Sequence, residues 1–195
     1  MDAWVSQAAG ELLVLARPWG VAVATMLAIC AVGAAVERLR PVRARADWAS
    51  VGFNVRWIVV GTALSTLALA CGFSAIAPLV REWTGGPWIA LTRPQGALGY
   101  AANWLVYFLV FDFFYYFFHR LQHASPWLWP FHELHHSETA LGVTTTQRHH
   151  WMEEPLRAPA IAVPMGVVVA VDRGGAPLLA VALGAWRSFV HATLR

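Results

Sequence analysis

The chain has no lysine; all fourteen of its basic residues are arginine. It is short of charge altogether, with 13% charged against 58% hydrophobic residues and a mean hydropathy of +0.51. A soluble domain is about a quarter charged, so this composition argues against an ordinary soluble domain and for a membrane protein. Cysteine is nearly absent. Cys30 and Cys71 sit inside apolar runs and read as small buried hydrophobes, which excludes a disulfide framework and a thiolate metal site. The opening M-D-A-W-V-S-Q has no basic n-region, so no cleavable signal peptide is expected. The arginines are not interleaved with aromatics on a polar surface and no nucleic-acid motif is present, so nucleic acid is not an expected partner. Histidine is missing from the whole first part of the chain, the first being His119.

What is there divides into uncharged runs and a histidine-rich region. Residues 18–36 carry no charge and are long enough to span a bilayer, with Pro18 suited to the first turn of that helix. Arg38, Arg40, Arg43 and Arg45 follow at once, and such a cluster beside a span marks the cytoplasmic side. A second uncharged run, 57–80, predicts a second span. Residues 81–97, rich in Gly and Pro and carrying Trp83 and Trp88, predict a turn with aromatic anchors at the opposite interface. The third run, 98–118, is heavily aromatic and holds one charge, Asp112. An acid within a span is costly, which makes Asp112 a functional candidate beside the metal ligands. Counting spans then brings His119 out on the cytoplasmic side, with the arginines. After Pro155, the apolar runs 158–171 and 176–185 are each short for a span and predict a bent or re-entrant helical hairpin over 158–190. The expected fold is therefore all-α. It is a single membrane-embedded domain over 1–195, a helical bundle of about three spans, a hairpin, and short cytosolic helices carrying histidines over 119–157.

Seven of the eight histidines fall between His119 and His150. His119 and His123 are four apart, and His132 lies three and four residues before His135 and His136. Residues at these spacings share a helix face. Five imidazoles on two short helical stretches would leave many ring nitrogens without partners unless they ligate something. A histidine-only donor set suits iron, copper or zinc. The expectation is that His119, His123, His132, His135 and His136 converge on one site. His132-Glu133-Leu134-His135-His136 also satisfies H-E-x-x-H, in which Glu133 would activate a zinc-bound water for proteolysis.

The pair of boxes H-R-L-Q-H and F-H-E-L-H-H-S-E resembles the fatty acid hydroxylase / sterol desaturase superfamily of integral membrane oxygenases. The approach D-F-F-Y-Y-F-F-H-R is similar to that family's lead-in to its first box, T-T-T-Q-R-H-H-W-M-E to its Arg-x-His segment, and F-V-H-A to a further segment. The resemblance covers roughly 98–195. It implies a histidine-ligated diiron centre on the cytosolic face, two iron ions as cofactors, and an external electron donor protein. The implied reaction uses O2 to hydroxylate or desaturate a lipid drawn from the bilayer. It adds His150 and His191 to the ligand candidates, and Arg148 and Glu153 to the residues around them. The family pattern continues with another H-x2-H-H box beyond Phe189–His191 that these 195 residues do not contain, so the chain reads as truncated. The alternatives are a zinc membrane protease and an inactive membrane scaffold.

Overall fold

The computed structural model describes residues 2–39, 48–68, 74–91, 96–171 and 176–192. Cys71, the Asp172–Gly175 break and the expected cytoplasmic arginines beyond Arg38 lie outside them. Eight α-helices carry most of the described chain: α1 Asp2–Leu39, α2 Trp48–Ala68, α3 Ser74–Thr84, α4 Gly96–Ala124, α5 Trp129–His136, α6 Glu153–Arg157, α7 Val163–Val168 and α8 Ala176–His191.

Two of these helices are long and apolar enough to cross a membrane: α1, over Trp19–Leu39, and α4, over its whole length. The expected first and third runs fall inside them. The helix does not start at Pro18, because the Ala, Leu and Glu residues before it are good helix formers and α1 begins at Asp2. The expected run 57–80 lies only partly among the described residues, 69–73 being outside them. It is shared between α2, which ends at Ala68, and α3, an 11-residue helix with Pro78 inside it. Among the described residues the candidate spans number two.

The expected hairpin takes another form. α6, a π turn at Ala158–Ala162 and α7 follow one another in a bent helical segment, with Pro159 at the start of the π turn and Pro164 at the start of α7. Proline has no N–H and clashes with the carbonyl four residues back, so the regular ladder is interrupted here. The chain then turns extended. Val169–Val171 (β2) pairs in parallel with Ile89–Leu91 (β1), Ile89 opposite Val169 and Leu91 opposite Val171. The β-branched run Val167-Val168-Val169 favours this extended form over helix. β1 follows the turn expected between Trp83 and Trp88, where Gly85 and Gly86 take positive φ values of 75° and 104°.

α4 packs its inner face on the bent segment. Phe118, Ile161 and Met165 are buried together, with Tyr107, Phe111, Phe114 and Tyr115 against them. The opposite face of α4 exposes Leu105, Leu109, Phe113, Tyr116 and Phe117. A bare apolar stripe of this kind suits hydrocarbon.

One polar turn ties the bundle together beside the histidines. Thr144, Thr145 and Thr146 are buried, the last two in a 3-10 turn, Thr145–Gln147. Gly142 and Thr145 hold each other by two hydrogen bonds of 2.9 Å. The turn reaches three helices. Glu37 of α1 accepts from the Val143 N–H at 2.8 Å, Asn54 of α2 donates to Thr144 Oγ1 at 3.3 Å, and Thr146 donates to the Arg187 carbonyl of α8 at 3.0 Å. The Arg38 end of α1 and the histidine end of α4 thus lie at the same end of the bundle.

Candidate metal centre

α4 runs about 43 Å at 1.5 Å per residue, longer than a hydrocarbon core of about 30 Å. His119 and His123 occupy its last two turns, so they stand at one end of the span. Ser125 then stops the helix. Its N–H still bonds Leu121, while its carbonyl accepts from Leu128 and Trp129, turning the chain into α5 with Pro130 in the first turn. This short connection folds α5 back so that its histidine face meets that of α4.

Four histidines converge there. His119, His123, His132 and His136 each offer a ring nitrogen, all within 4.8 Å of one another. The Nε2 atoms of His119 and His123 are 3.2 Å apart, and those of His132 and His136 are 3.1 Å apart. His132 is buried, while His123 and His136 are exposed.

His135 does not join that group. Three residues after His132, it turns to the other side of α5 and meets a second set of rings. Its Nε2 is 3.2 Å from His191 Nε2, and its ring stacks on His149 at 5.0 Å and 8°. The two groups are neighbours, with the rings of His132 and His135 only 5.4 Å apart.

The ring orientations follow from the oxygens behind them. His135 Nδ1 faces the Arg148 carbonyl at 3.3 Å, and His191 Nδ1 faces the Arg187 carbonyl at 2.9 Å. A ring that donates through Nδ1 presents a lone pair at Nε2. Two such lone pairs 3.2 Å apart repel each other unless a cation lies between them. Neighbouring nitrogens on one ion with bonds of about 2.1 Å are separated by about 3 Å, which is the spacing found in all three pairs.

Glu153, buried in α6, stands between the groups. One carboxylate oxygen lies 3.4 Å from His132 Nδ1 and the other 3.1 Å from His149 Nδ1. Both contacts are close but off-line, so they are electrostatic contacts rather than well-formed hydrogen bonds. His119 Nδ1, His132 Nδ1, both nitrogens of His149 and Glu153 Oε2 are buried without a hydrogen-bond partner. Buried polar atoms are rarely left so; with His149 Nδ1 toward Glu153, its other nitrogen could face a cation.

The electrostatics keep the donors ready. The His135 imidazole is pushed down to about 2, first by burial and then by its neighbours His149 and His191. His136 is also lowered, by burial and then by His132. Burial alone would raise the Glu153 carboxyl, but His132, His149 and Arg157 hold it well below the carboxylate range. Neutral imidazoles beside an ionised carboxylate are the protonation states that metal ligation needs.

The other expected residues are placed as follows. His150 stands outside both groups. Its Nδ1 accepts the Met152 N–H at 3.1 Å, and its ring packs on Phe131 and Trp151. Arg148 supports His135 through its backbone, while its guanidinium donates to Ser137 at 3.0 Å and lies over Phe53. Asp112 is on the exposed side of α4, and no hydrogen bond or ion pair joins it to the histidines among the described residues. Glu133 is likewise exposed, with no such contact to the rings. Sequence reasoning missed His149, although its spacing of four from Glu153 was a usable signal. It also missed the neighbouring acid. Glu154 points the opposite way from Glu153, accepting from Ser65 of α2 and pairing with Arg157.

No curated protein and no solved structure matches the chain. A family model does: fatty acid hydroxylase, over residues 104–195. The match takes in most of α4, all eight histidines, Glu153 and α8, so the resemblance read from the paired boxes holds over residues 104–195, which match the fatty acid hydroxylase family.

Proposed function

We propose that the chain is an integral membrane oxygenase that hydroxylates or desaturates a lipid at a pair of iron ions held by histidine. The observation that carries this reading is the pairing of two adjacent all-histidine groups with one carboxylate between them. His119, His123, His132 and His136 would hold one ion, and His135, His149 and His191 the other. The family match supports lipid oxidation as the chemistry.

An unactivated C–H bond offers no acidic or nucleophilic handle, so bound iron would supply the oxidising chemistry. Hydroxylation consumes one O2, two electrons and two protons, and yields the alcohol and one water. Desaturation consumes the same and yields the alkene and two waters. The electrons come from an external redox protein.

The chain's own part is positioning. The Arg148 and Arg187 carbonyls and Glu153 orient the rings from behind. Tyr115 stacks on His119 at 5.7 Å, and with Phe114 and Phe118 it gives the first group an apolar flank on the membrane side that favours an acyl or sterol chain over water. The Arg38 end of α1 lies with the histidines, which under the positive-inside rule supports a centre on the cytoplasmic side.

The test is iron content and product mass. The purified chain, loaded with ferrous iron and given lipid, O2 and a reducing system, should hold two irons and yield lipid gaining one oxygen or losing two hydrogens. One zinc per chain together with peptide cleavage that depends on Glu133 would overturn the reading in favour of a protease.

A further inference from the structure

The bent segment carries two buried acids in succession, and only one of them faces the histidines. Glu154 is accounted for by Ser65 and Arg157. Glu153 presents one oxygen to a ring of each group: His132, which belongs to the four-histidine group, and His149, which belongs to the three-histidine group. No other acidic side chain among the described residues forms an ion pair with both. Glu138 is bonded to Asn54, and Glu133 and Asp112 are exposed.

We propose that Glu153 is a positioning residue shared by both metal subsites, so that losing its charge weakens both ions at once. The inference rests on the diiron reading above. A ring nitrogen becomes a better ligand when its partner N–H leans on a carboxylate, because the negative charge raises the basicity of the donor nitrogen and fixes its direction. In a usual arrangement each ligand has its own acceptor. Here one carboxylate serves two rings in two subsites, on nitrogens that have no other partner. Its single charge also lies between two sites that would each receive a dication, where it offsets their mutual repulsion. The π turn at Ala158–Ala162 starts one residue after α6 ends, and Arg157 pairs with Glu154 just before it. Glu154 is thereby clamped toward α2, and Glu153, one residue earlier on the helix, is aimed at the rings.

The experiment is a cobalt titration of the metal-free chain in detergent, followed by the visible absorption of the bound ion and by metal analysis. The wild-type chain should take up two ions. Glu153→Gln, which keeps the shape but loses the charge, should weaken both by about 10–100-fold, the usual cost of losing such a support. Glu133→Gln removes an equal charge from exposed α5 and should leave both affinities unchanged. Glu153→Asp should recover part of the loss. If Glu153→Gln does not fold, Glu153→Asp decides, since two ions bound at wild-type affinity with both oxygens withdrawn by one methylene would overturn the proposal. Loss of only one ion in Glu153→Gln, or of neither, would overturn it as well while leaving the diiron reading intact. A wild-type chain that takes up no cobalt would sink both.

Discussion

The two histidine groups are built in opposite ways. The first is local: His119, His123, His132 and His136 come from two consecutive helices joined by a tight turn at Ser125. It is also open, with His123 and His136 exposed. The second is assembled from α5, the loop before α6 and the end of α8, and its central ring His135 is buried. A local group needs only its own hairpin to form. A distributed one needs the bundle closed, with the threonine turn seated and α8 docked through Thr146. The first should therefore survive damage to the bundle that the second does not.

The largest expected effect is at the residue that belongs to the first group and touches the second. His132 is 1% exposed, its Nε2 meets His136, its Nδ1 faces Glu153, and its ring lies 5.4 Å from His135. His132→Ala should cost the first subsite more than about 100-fold in metal affinity, beyond the range for a supporting residue, and should disturb the second. His123→Ala, at the exposed edge, should weaken the first subsite and leave the second at its wild-type affinity. Metal analysis with both variants checks this. Equal losses at both subsites in both variants would mean that the groups are one site.

The second group is tested at neighbouring positions. His149→Ala removes a ring stacked on His135 and leaning on Glu153, so the second ion should bind about 10–100-fold weaker. His150→Ala removes a ring that packs on Phe131 and accepts from Met152. It should leave both ions bound and cost about 1 kcal/mol of stability for the lost hydrogen bond. The reverse result, metal lost with His150 and kept with His149, would exchange their roles.

This contrast also explains what was legible in the sequence. The first group was readable because it follows helical periodicity, with spacings of four on each of two helices. His135 was counted with that group because a spacing of three also shares a face. In the fold, its offset of about 60° from His132 and about 100° from His136 is enough to turn it toward His149 and His191. His149 and His150 could not be separated by spacing within an irregular loop; only the tertiary position of α6 chooses between them. The spans α1 and α4 were readable from hydropathy. The β1–β2 pairing depends on what packs alongside, which a run of apolar residues does not state. Asp112 drew notice as a charge within a span, yet periodicity could not say which face of α4 turns inward.

A further comparison separates the acid that serves the metal from the one that serves the fold. Burial alone would raise the Glu154 carboxyl, but Arg157, then His149, and the Ser65 hydroxyl hold it below its ordinary 4.5. The folded chain therefore keeps Glu154 ionised to a lower pH than the unfolded chain does. Its contribution to stability is complete above about pH 4.5 and is lost as the pH falls through the lower folded value. In Glu154→Gln the Arg157 guanidinium is left buried with a neutral partner, which at neutral pH should cost about 3 kcal/mol, or roughly 6–12 °C in melting temperature for a chain of this size. Melting the metal-free wild type and Glu154→Gln side by side removes the contributions that both share, including those of the histidines. The gap between the two curves should be constant from pH 7 to about 4.5 and narrow below that. A gap that does not narrow on acidification would mean that Glu154 is not held ionised by Arg157, and the division of labour between Glu153 and Glu154 would lose its structural half.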